Sequence, residues 1–189
     1  LDPGGYLDST EQGYISDAVN EGTGLVNFDN DLSPAQGRNL EKILDVNVKS
    51  NHWLCRMVIP EMRERKSGVI IIVSSVTGLK GSGSLGSYAI SKAADRQLAR
   101  NLAVEFGPDG IRANCIAPGV VKTDFARALY ENPEEEASQE AWTPLRRLGT
   151  PEDIAGAAVF LAARAGAWLT GQSIVIDGGA AIVGVAPTA

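Results

Sequence analysis

The chain has 189 residues, of which 44% are hydrophobic and 21% are charged, and its formal net charge at pH 7 is −6. These proportions are typical of one folded domain and exclude a disordered or collagen-like chain. The negative charge argues against nucleic acid or an anionic membrane surface as a partner, and no stretch reaches the roughly 18 consecutive apolar residues of a membrane span. Two cysteines are too few for a disulfide framework and predict a cytoplasmic protein. A single histidine excludes most zinc sites, and we predict no metal site.

Strand and helix patterns alternate along the first half of the chain. The apolar run at 25–28 is the first strand candidate. A long amphipathic helix then begins at its N-cap, Ser33, and runs to about Arg65. Pro60 is expected to kink this helix or to end its regular part. Residues 69–73 are all β-branched, which is typical of a strand buried on both faces of a parallel sheet.

The alternation continues in the second half. A glycine- and serine-rich loop at 77–87 leads into a second long helix over about 88–106, and residues 111–117 are the next strand candidate. A third helix begins at Thr150, which is followed by a proline and two acidic residues that favour a helix N-terminus. Residues 173–176 are a last buried strand. This order predicts an α/β fold with a parallel sheet.

A run of glutamates lies between the 111–117 strand candidate and the third helix. We interpret it as the solvated face of a helix, with a lid over the site as the lesser alternative. Its members are Glu131, Glu134, Glu135, Glu136 and Glu140.

Four polar side chains fall where the predicted fold could bring them together. Ser75 follows the 69–73 strand, at the edge where open α/β sheets bind ligands. Tyr88 and Lys92 are four residues apart on one helix and therefore share a face. The reference pKa of a phenol, about 10, is too high for base catalysis at neutral pH, and a neighbouring cation lowers it. A Tyr–Lys pair alone could equally be a surface pair, and periodicity alone favours a satisfied helix-interior amide for Asn47.

Several motifs, in order, resemble the short-chain dehydrogenase/reductase family from about residue 40 to residue 179. They are LDVNVKS, GVIIIVSSVTG, YAISKAA, IRANCIAPGVVKTDF, RRLGTPEDIAGAAVFLA and TGQSIVIDGG. The stretch PGVVKTDFARALYENPE looks most like the carbonyl-reductase-like subgroup. The resemblance implies a Rossmann-like, doubly wound parallel sheet whose N-terminal strands are incomplete. It divides one domain into a divergent or truncated part (1–32), a catalytic half (33–179) and a tail (180–189).

The resemblance also implies hydride transfer between NAD or NADP and a ketone or secondary alcohol. Tyr88 would be the general acid/base, and Lys92 would lower its pKa and hold the nicotinamide ribose. Ser75 would orient the substrate oxygen, while Asn47 would complete a proton relay through water to Lys92. Homodimers or homotetramers would form through the two long helices. The tail lacks charge and is therefore suited to burial against a neighbouring chain, with a disordered tail as the alternative. The nicotinamide would be lined by Pro118, Gly119, Val121 and Thr123.

The chain departs from the family in its N-terminal part. The strand–TGxxxGxG–helix segment is missing, as is the acidic residue that would bind the adenosine ribose, so NAD and NADP are not distinguished. Residues 25–30 resemble an altered remnant of the family's Asn-Asn-Ala-Gly motif, and strand 25–28 is expected to border open space. Three explanations stay open: segments outside this sequence, a truncated or degenerate relative, or a substitute edge formed by residues 1–24. The GxGxxG at 81–86 begins too far after its strand for a phosphate fingerprint and predicts a substrate-facing loop.

Two other functions compete with the oxidoreductase. A catalytically silent relative, acting as a binding or oligomerisation module, is favoured by the missing phosphate loop. Retention of Asn47, Ser75, Tyr88 and Lys92 together favours the enzyme. A hydrolase using His52 is disfavoured, because neither His52 nor Cys55 follows a nucleophile turn.

Overall fold

A computed structural model describes residues 34–82 and 85–184 of the chain. The regular elements, in chain order, are α1 Pro34–Leu44, α2 Ser50–Glu64, β1 Gly68–Val73, α3 Gly86–Phe106, β2 Ile111–Pro118, α4 Pro133–Trp142, α5 Pro151–Ala162 and β3 Ser173–Ile176. The strand predicted at 25–28, and the open space expected beside it, lie outside the described residues.

The three strands form a parallel sheet in the order β1–β2–β3. In the central strand Ala113 and Cys115 on one face are 0% exposed, and Asn114 and Ile116 on the other are 0% and 1% exposed, so this strand is covered on both faces. Burial on both faces, predicted for residues 69–73, is wrong for β1. Its Ile70 and Ile72 are buried, but Val73 on the opposite face is 54% exposed, because β1 is the edge strand of the described sheet. The predicted α/β fold with a parallel sheet is confirmed. Each strand of this sheet lies within one residue of its predicted bounds.

Helices cover both faces of the sheet. On one face α2 and α3 pack against alternate residues of β1 and β2. On the other face Arg112 of β2 reaches the end of α5 and donates to the carbonyl of Leu161 at 2.7 Å. The core on the α2–α3 face consists of Cys55, Ile59, Ile70, Ile72, Ala99, Leu102, Ala103, Ile111, Ala113 and Cys115. Burial raises the pKa of both of its thiols.

The first long helix departs from the prediction in two respects, and its predicted N-cap, Ser33, lies outside the described residues. Pro60 does not end its regular part, because α2 continues to Glu64 and the Arg65 amide still donates to the carbonyl of Glu61 at 3.2 Å. A proline lacks only its own amide donor, so the residues beyond it can keep their helical bonds. The irregularity lies earlier, where a π-helical segment, Asp45–Lys49, joins α1 to α2. Such segments are frequent at functional sites.

The two helices of the C-terminal half match their sequence signals. Thr150 and Asp153 form a capping box at the start of α5, with Pro151 at the first helical position. The glutamates of α4 confirm a solvated helix face, since Glu134 and Glu135 are exposed in its first turn.

The carboxyl group of the α5 capping box makes the stability of the fold depend on pH. The Arg147 guanidinium, and after it the Thr150 amide, hold the pKa of Asp153 well below its ordinary 3.8. A carboxyl whose folded pKa is depressed stabilises the fold above its ordinary pKa and loses that contribution as the pH falls below it. We expect Asp153→Asn to flatten the fall of Tm between about pH 4 and pH 2. Glu135→Gln, an exposed substitution in α4, should retain the wild-type acid dependence; an unchanged curve for Asp153→Asn would contradict the expectation.

Candidate active site

The side chain of Lys92 lies at the carboxyl end of β1. Its Nζ donates to the carbonyl of Val73, the last residue of the strand, at 3.1 Å. The same Nζ lies 5.7 Å from the centroid of the Tyr88 ring, one helical turn earlier in α3. The Lys92 side chain is 12% exposed and Tyr88 is half-buried. The structure therefore brings this predicted pair together at the edge of the sheet where ligands bind.

Ser75 lies in a turn that packs on the backbone of α3. It caps the 3-10 turn Val76–Leu79, and its Oγ accepts from the amide and the hydroxyl of Thr77 at 3.2 and 2.9 Å. Because Oγ accepts both bonds, the Ser75 hydroxyl can still donate its proton to a substrate oxygen. Ser74 donates to the Lys92 carbonyl at 2.6 Å, which fixes this turn beside the helical turn that carries Lys92.

Asn47 lies in the π-helical segment and points to α3. Its Nδ2 donates to the Oγ of the buried Ser91 at 3.0 Å, and that Oγ donates to the Tyr88 carbonyl at 2.7 Å. The amide is therefore satisfied, as periodicity alone suggests. Its partner nevertheless belongs to the helical turn that carries Tyr88, so Asn47 lies beside the pair of predicted catalytic residues.

A buried carboxylate completes this cluster. Asp95 is 0% exposed; one oxygen accepts from Asn51 Nδ2 at 2.8 Å and the other from Lys92 Nζ at 3.2 Å. Asn51 Nδ2 also donates to the carbonyl of Asn47 at 2.6 Å. The side chains of Asn51 and Asp95 thus form a hydrogen-bonded chain between the backbone carbonyl of Asn47 and the ammonium of Lys92.

The segment predicted to line a cofactor follows β2 at the same edge of the sheet. The Gly119 amide donates to the Ile176 carbonyl at 2.9 Å, and a Cβ at Gly119 would lie 2.8 Å from the Cβ of Asp177. Thr123 caps the next 3-10 turn through the Ala126 amide at 3.4 Å. Since Val73 pairs with Ile116 in register, this segment begins close to the end of β1. The four predicted residues after that point are Pro118, Gly119, Val121 and Thr123.

An ion pair ties this segment to α4. Lys122 contacts Glu136, and this contact raises the pKa of Lys122. The glutamate run is therefore mainly solvated, with one member joined to the loop after β2. Its role as a lid stays a prediction.

A cleft of about 440 Å³ opens beside β1. Its lining includes Asn47, Asn51 and Lys92 together with the apolar residues of the strand.

Within the GxGxxG at 81–86, Gly83 and Ser84 lie outside the described residues, and the 3-10 turn Val76–Leu79 separates β1 from the first glycine of the motif. Its role as a substrate-facing loop stays a prediction. His52 is exposed on α2.

Within residues 34–82 and 85–184, no three His, Cys, Asp or Glu side chains are grouped so that they could hold a metal ion. None of the helices in these ranges has both the length and the apolar character that crossing a membrane requires.

A family model described as "Enoyl-(Acyl carrier protein) reductase" matches residues 13–181. The chain belongs to the short-chain dehydrogenase/reductase family. The family predicted from the motifs is therefore confirmed. Among curated relatives of this short-chain dehydrogenase/reductase is the Dehydrogenase/reductase SDR family member 4 of Bos taurus, 42% identical over 139 residues, which are 74% of this chain and 50% of the relative. The chain thus spans about half the length of the curated relatives it matches.

Solved structures agree with this assignment and with the Rossmann-like fold. A gluconate 5-dehydrogenase from Burkholderia cenocepacia J2315, in complex with NADP and tartrate, has a TM-score of 0.75 at 29% identity over 80% of this chain and 58% of that chain. A 3-oxoacyl-[acyl-carrier protein] reductase from Brucella melitensis, with bound NAD, has a TM-score of 0.71 at 31% identity, over 85% of this chain and 58% of that chain.

Two residues that hold the predicted ones in place were not predicted from the sequence of this short-chain dehydrogenase/reductase. Asp95 lies three residues after Lys92 on the buried stripe of α3, and Asn51 lies four residues after Asn47. Both spacings put the pairs on common helix faces. A carboxylate on a buried stripe requires a partner, so this signal was present in the sequence.

Proposed function

We propose that this short-chain dehydrogenase/reductase transfers a hydride between NAD or NADP and a ketone or secondary alcohol. The observation that carries the proposal is the meeting of Tyr88, Lys92 and the Ser75 turn at the carboxyl end of β1. The Brucella melitensis and Burkholderia cenocepacia structures, with NAD and NADP, support the cofactor class. We also propose that the chain falls in the carbonyl-reductase-like subgroup, on the basis of the stretch PGVVKTDFARALYENPE.

The chemistry of the donors at this edge fits the nicotinamide half of such a cofactor. An ammonium has three donors, and the Lys92 contacts with Val73 and Asp95 engage two of them. The third is available for a ribose hydroxyl, and the segment 118–123 begins at the same edge. When bound, the nicotinamide supplies or accepts the hydride.

Tyr88 would move the proton. In reduction its hydroxyl gives a proton to the carbonyl oxygen, which becomes the alcohol, while the hydride adds to the carbonyl carbon. The ammonium of Lys92 favours the phenolate that remains, because an opposite charge nearby stabilises the charged form. Ser75 donates a hydrogen bond to the same substrate oxygen. In oxidation the phenolate takes the proton back.

For Asn47 the water-mediated relay to Lys92 stays a proposal. Its amide binds Ser91, and its carbonyl accepts from Asn51. These contacts support a role in holding the π-helical segment against α3.

Binding of the reduced cofactor tests the proposal. We expect NADH or NADPH to quench the tryptophan fluorescence of the protein in a saturable way, and a panel of aromatic, cyclic and 3-oxoacyl ketones to cause loss of NAD(P)H absorbance. Trp142 ends α4, which Glu136 joins to the loop after β2. ATP, which lacks a nicotinamide, is the control ligand. No saturable quenching by either cofactor would contradict the proposal and favour a non-catalytic binding module.

We also propose that copies of the chain associate as homodimers or homotetramers. The support is apolar exposure on the long helices, with Trp53 and Met57 of α2 at 63% and 75% and Val104 of α3 at 82%. The last five residues of the tail lie outside the described ranges. The unpaired, buried thiols of Cys55 and Cys115 support a reducing, cytoplasmic location.

A further inference from the structure

Asp95 has a fully buried carboxylate that takes no direct part in the proposed proton transfer. Its side chain is 0% exposed and lies on the stripe of α3 that packs into the core. One oxygen accepts from Asn51 Nδ2 on α2 at 2.8 Å, and the other from Lys92 Nζ at 3.2 Å. A buried carboxylate with both oxygens engaged has little freedom, because any other position leaves a desolvated charge without a partner.

Asp95 in turn limits where the Lys92 ammonium can lie. A lysine side chain is long and flexible, and its free ammonium samples many rotamers. Here Nζ is held from two directions, by Asp95 Oδ2 at 3.2 Å and by the Val73 carbonyl at 3.1 Å. This position lies 5.7 Å from the Tyr88 ring centroid.

Asn51 extends the arrangement to the π-helical segment. Its Nδ2 donates both to Asp95 and to the carbonyl of Asn47, which lies at 2.6 Å. We propose that Asp95, held by Asn51, is a positioning residue that fixes the Lys92 ammonium at the carboxyl end of β1. The effect on turnover rests on the proposed function, whereas the anchoring of Lys92 does not.

The anchoring can be tested without a cofactor. Acetic anhydride labels free lysines, and peptide mass spectrometry gives the labelling rate of Lys92 relative to the exposed Lys80. We expect slow labelling of Lys92 in the wild-type protein, where its side chain is 12% exposed. Asp95→Asn keeps the shape and removes the charge, and should raise the Lys92 rate roughly tenfold or more, since a buried ion pair is broken. Asp109→Asn, which removes a carboxylate from the surface ion cluster at the end of α2, is the matched control and should leave that rate unchanged.

Turnover supplies the second measurement. Asp95→Asn is expected to lower kcat/KM by about 10²-fold, the effect of a displacement of about 1 Å at a reacting centre. Because Lys92 would serve both the ribose and Tyr88, the KM for the cofactor should rise as kcat falls. The double variant Asn51→Leu/Asp95→Leu replaces the polar pair with apolar side chains of the same branched shape, which can restore packing between α2 and α3. It is expected to keep a Tm near that of the wild type, while Lys92 labelling stays fast and kcat/KM stays low.

The outcomes separate anchoring from packing. Wild-type kcat/KM and slow Lys92 labelling in the double variant would mean that Asp95 serves packing alone, and would overturn the proposal. An unchanged Lys92 rate in Asp95→Asn would overturn it as well, and if that variant does not fold, the double variant decides. A wild-type protein without cofactor binding or turnover, in which Lys92 labelling still responds to Asp95→Asn, would support the anchoring and overturn only the proposed function.

Discussion

Tyr88→Phe is expected to lower kcat by about 10²- to 10⁴-fold, the usual contribution of a positioned general acid or base. The substitution removes only the phenolic oxygen. The ring stays half-buried in the same helical turn, and the contacts of Lys92 with Val73 and Asp95 do not involve it. Cofactor affinity is therefore expected to persist. Steady-state NAD(P)H oxidation with the ketone panel measures the loss, and tryptophan fluorescence titration measures binding.

Tyr130→Phe is the matched control for this substitution. The Tyr130 hydroxyl donates to the Thr123 carbonyl at 2.9 Å, so its removal loses one hydrogen bond in the loop after β2. Such a bond contributes about 1 kcal/mol, which predicts less than about a tenfold change in kcat/KM. Near wild-type turnover in Tyr88→Phe would contradict the assigned role. Equal losses in the two variants would mean that the hydroxyls act through the loop and not through proton transfer.

Gly78→Ala is expected to damage the site through the backbone. A Cβ at position 78 would lie 2.7 Å from the carbonyl carbon of Lys92 and 2.8 Å from the amide nitrogen of Ala93. Neither atom can move without shifting α3, so the turn that carries Ser75 must move away from the helix. We expect a loss of about 1–3 kcal/mol in the free energy of unfolding, as for other overpacked sites. We also expect about a 10²-fold fall in kcat/KM from the displaced hydroxyl.

Gly107→Ala controls for this effect at the far end of α3. Gly107 is exposed and has helical backbone angles, and a Cβ there would meet no atom of residues 34–82 and 85–184 within 4 Å, so the added methyl group should leave Tm and kcat/KM close to wild type. Thermal unfolding and steady-state kinetics on both variants provide the comparison. If Gly78→Ala behaved like Gly107→Ala, the close approach of the turn to α3 would not be what positions Ser75.

The strands could be predicted well because burial determines their composition. An unbroken run of β-branched residues is typical of a strand in a parallel sheet, and Gly68–Val73 is such a strand, although only Ile70 and Ile72 of it are buried. The start of α5 was equally predictable, since Thr150 and Asp153 satisfy backbone amides locally. The π-helical segment Asp45–Lys49 had no such local cause. Its Asn47 is held by Ser91, 44 residues further along the chain.

The contrast between local signals and long-range contacts also separates the site residues that were predicted from those that were missed. Tyr88 and Lys92 share one helix, and their spacing alone puts them on one face. Ser75 follows from the position of a strand end. Asp95 and Asn51 become hydrogen-bond partners only when α2 packs on α3, because they lie 44 positions apart in the sequence. Single-sequence periodicity assigns a buried phase to such residues but not their partners.

The parallel order of β1, β2 and β3 has a consequence for how the chain folds. Parallel neighbours cannot be joined by a tight hairpin, so each pairing waits for a crossover segment to form. The ends of that segment must meet before any ladder bond offsets the lost chain entropy, which gives a high contact order and slow folding. During synthesis the apolar run of β1 therefore leaves the ribosome well before its partner β2. In that interval it is exposed to aggregation and is a binding site for a chaperone that recognises extended apolar segments.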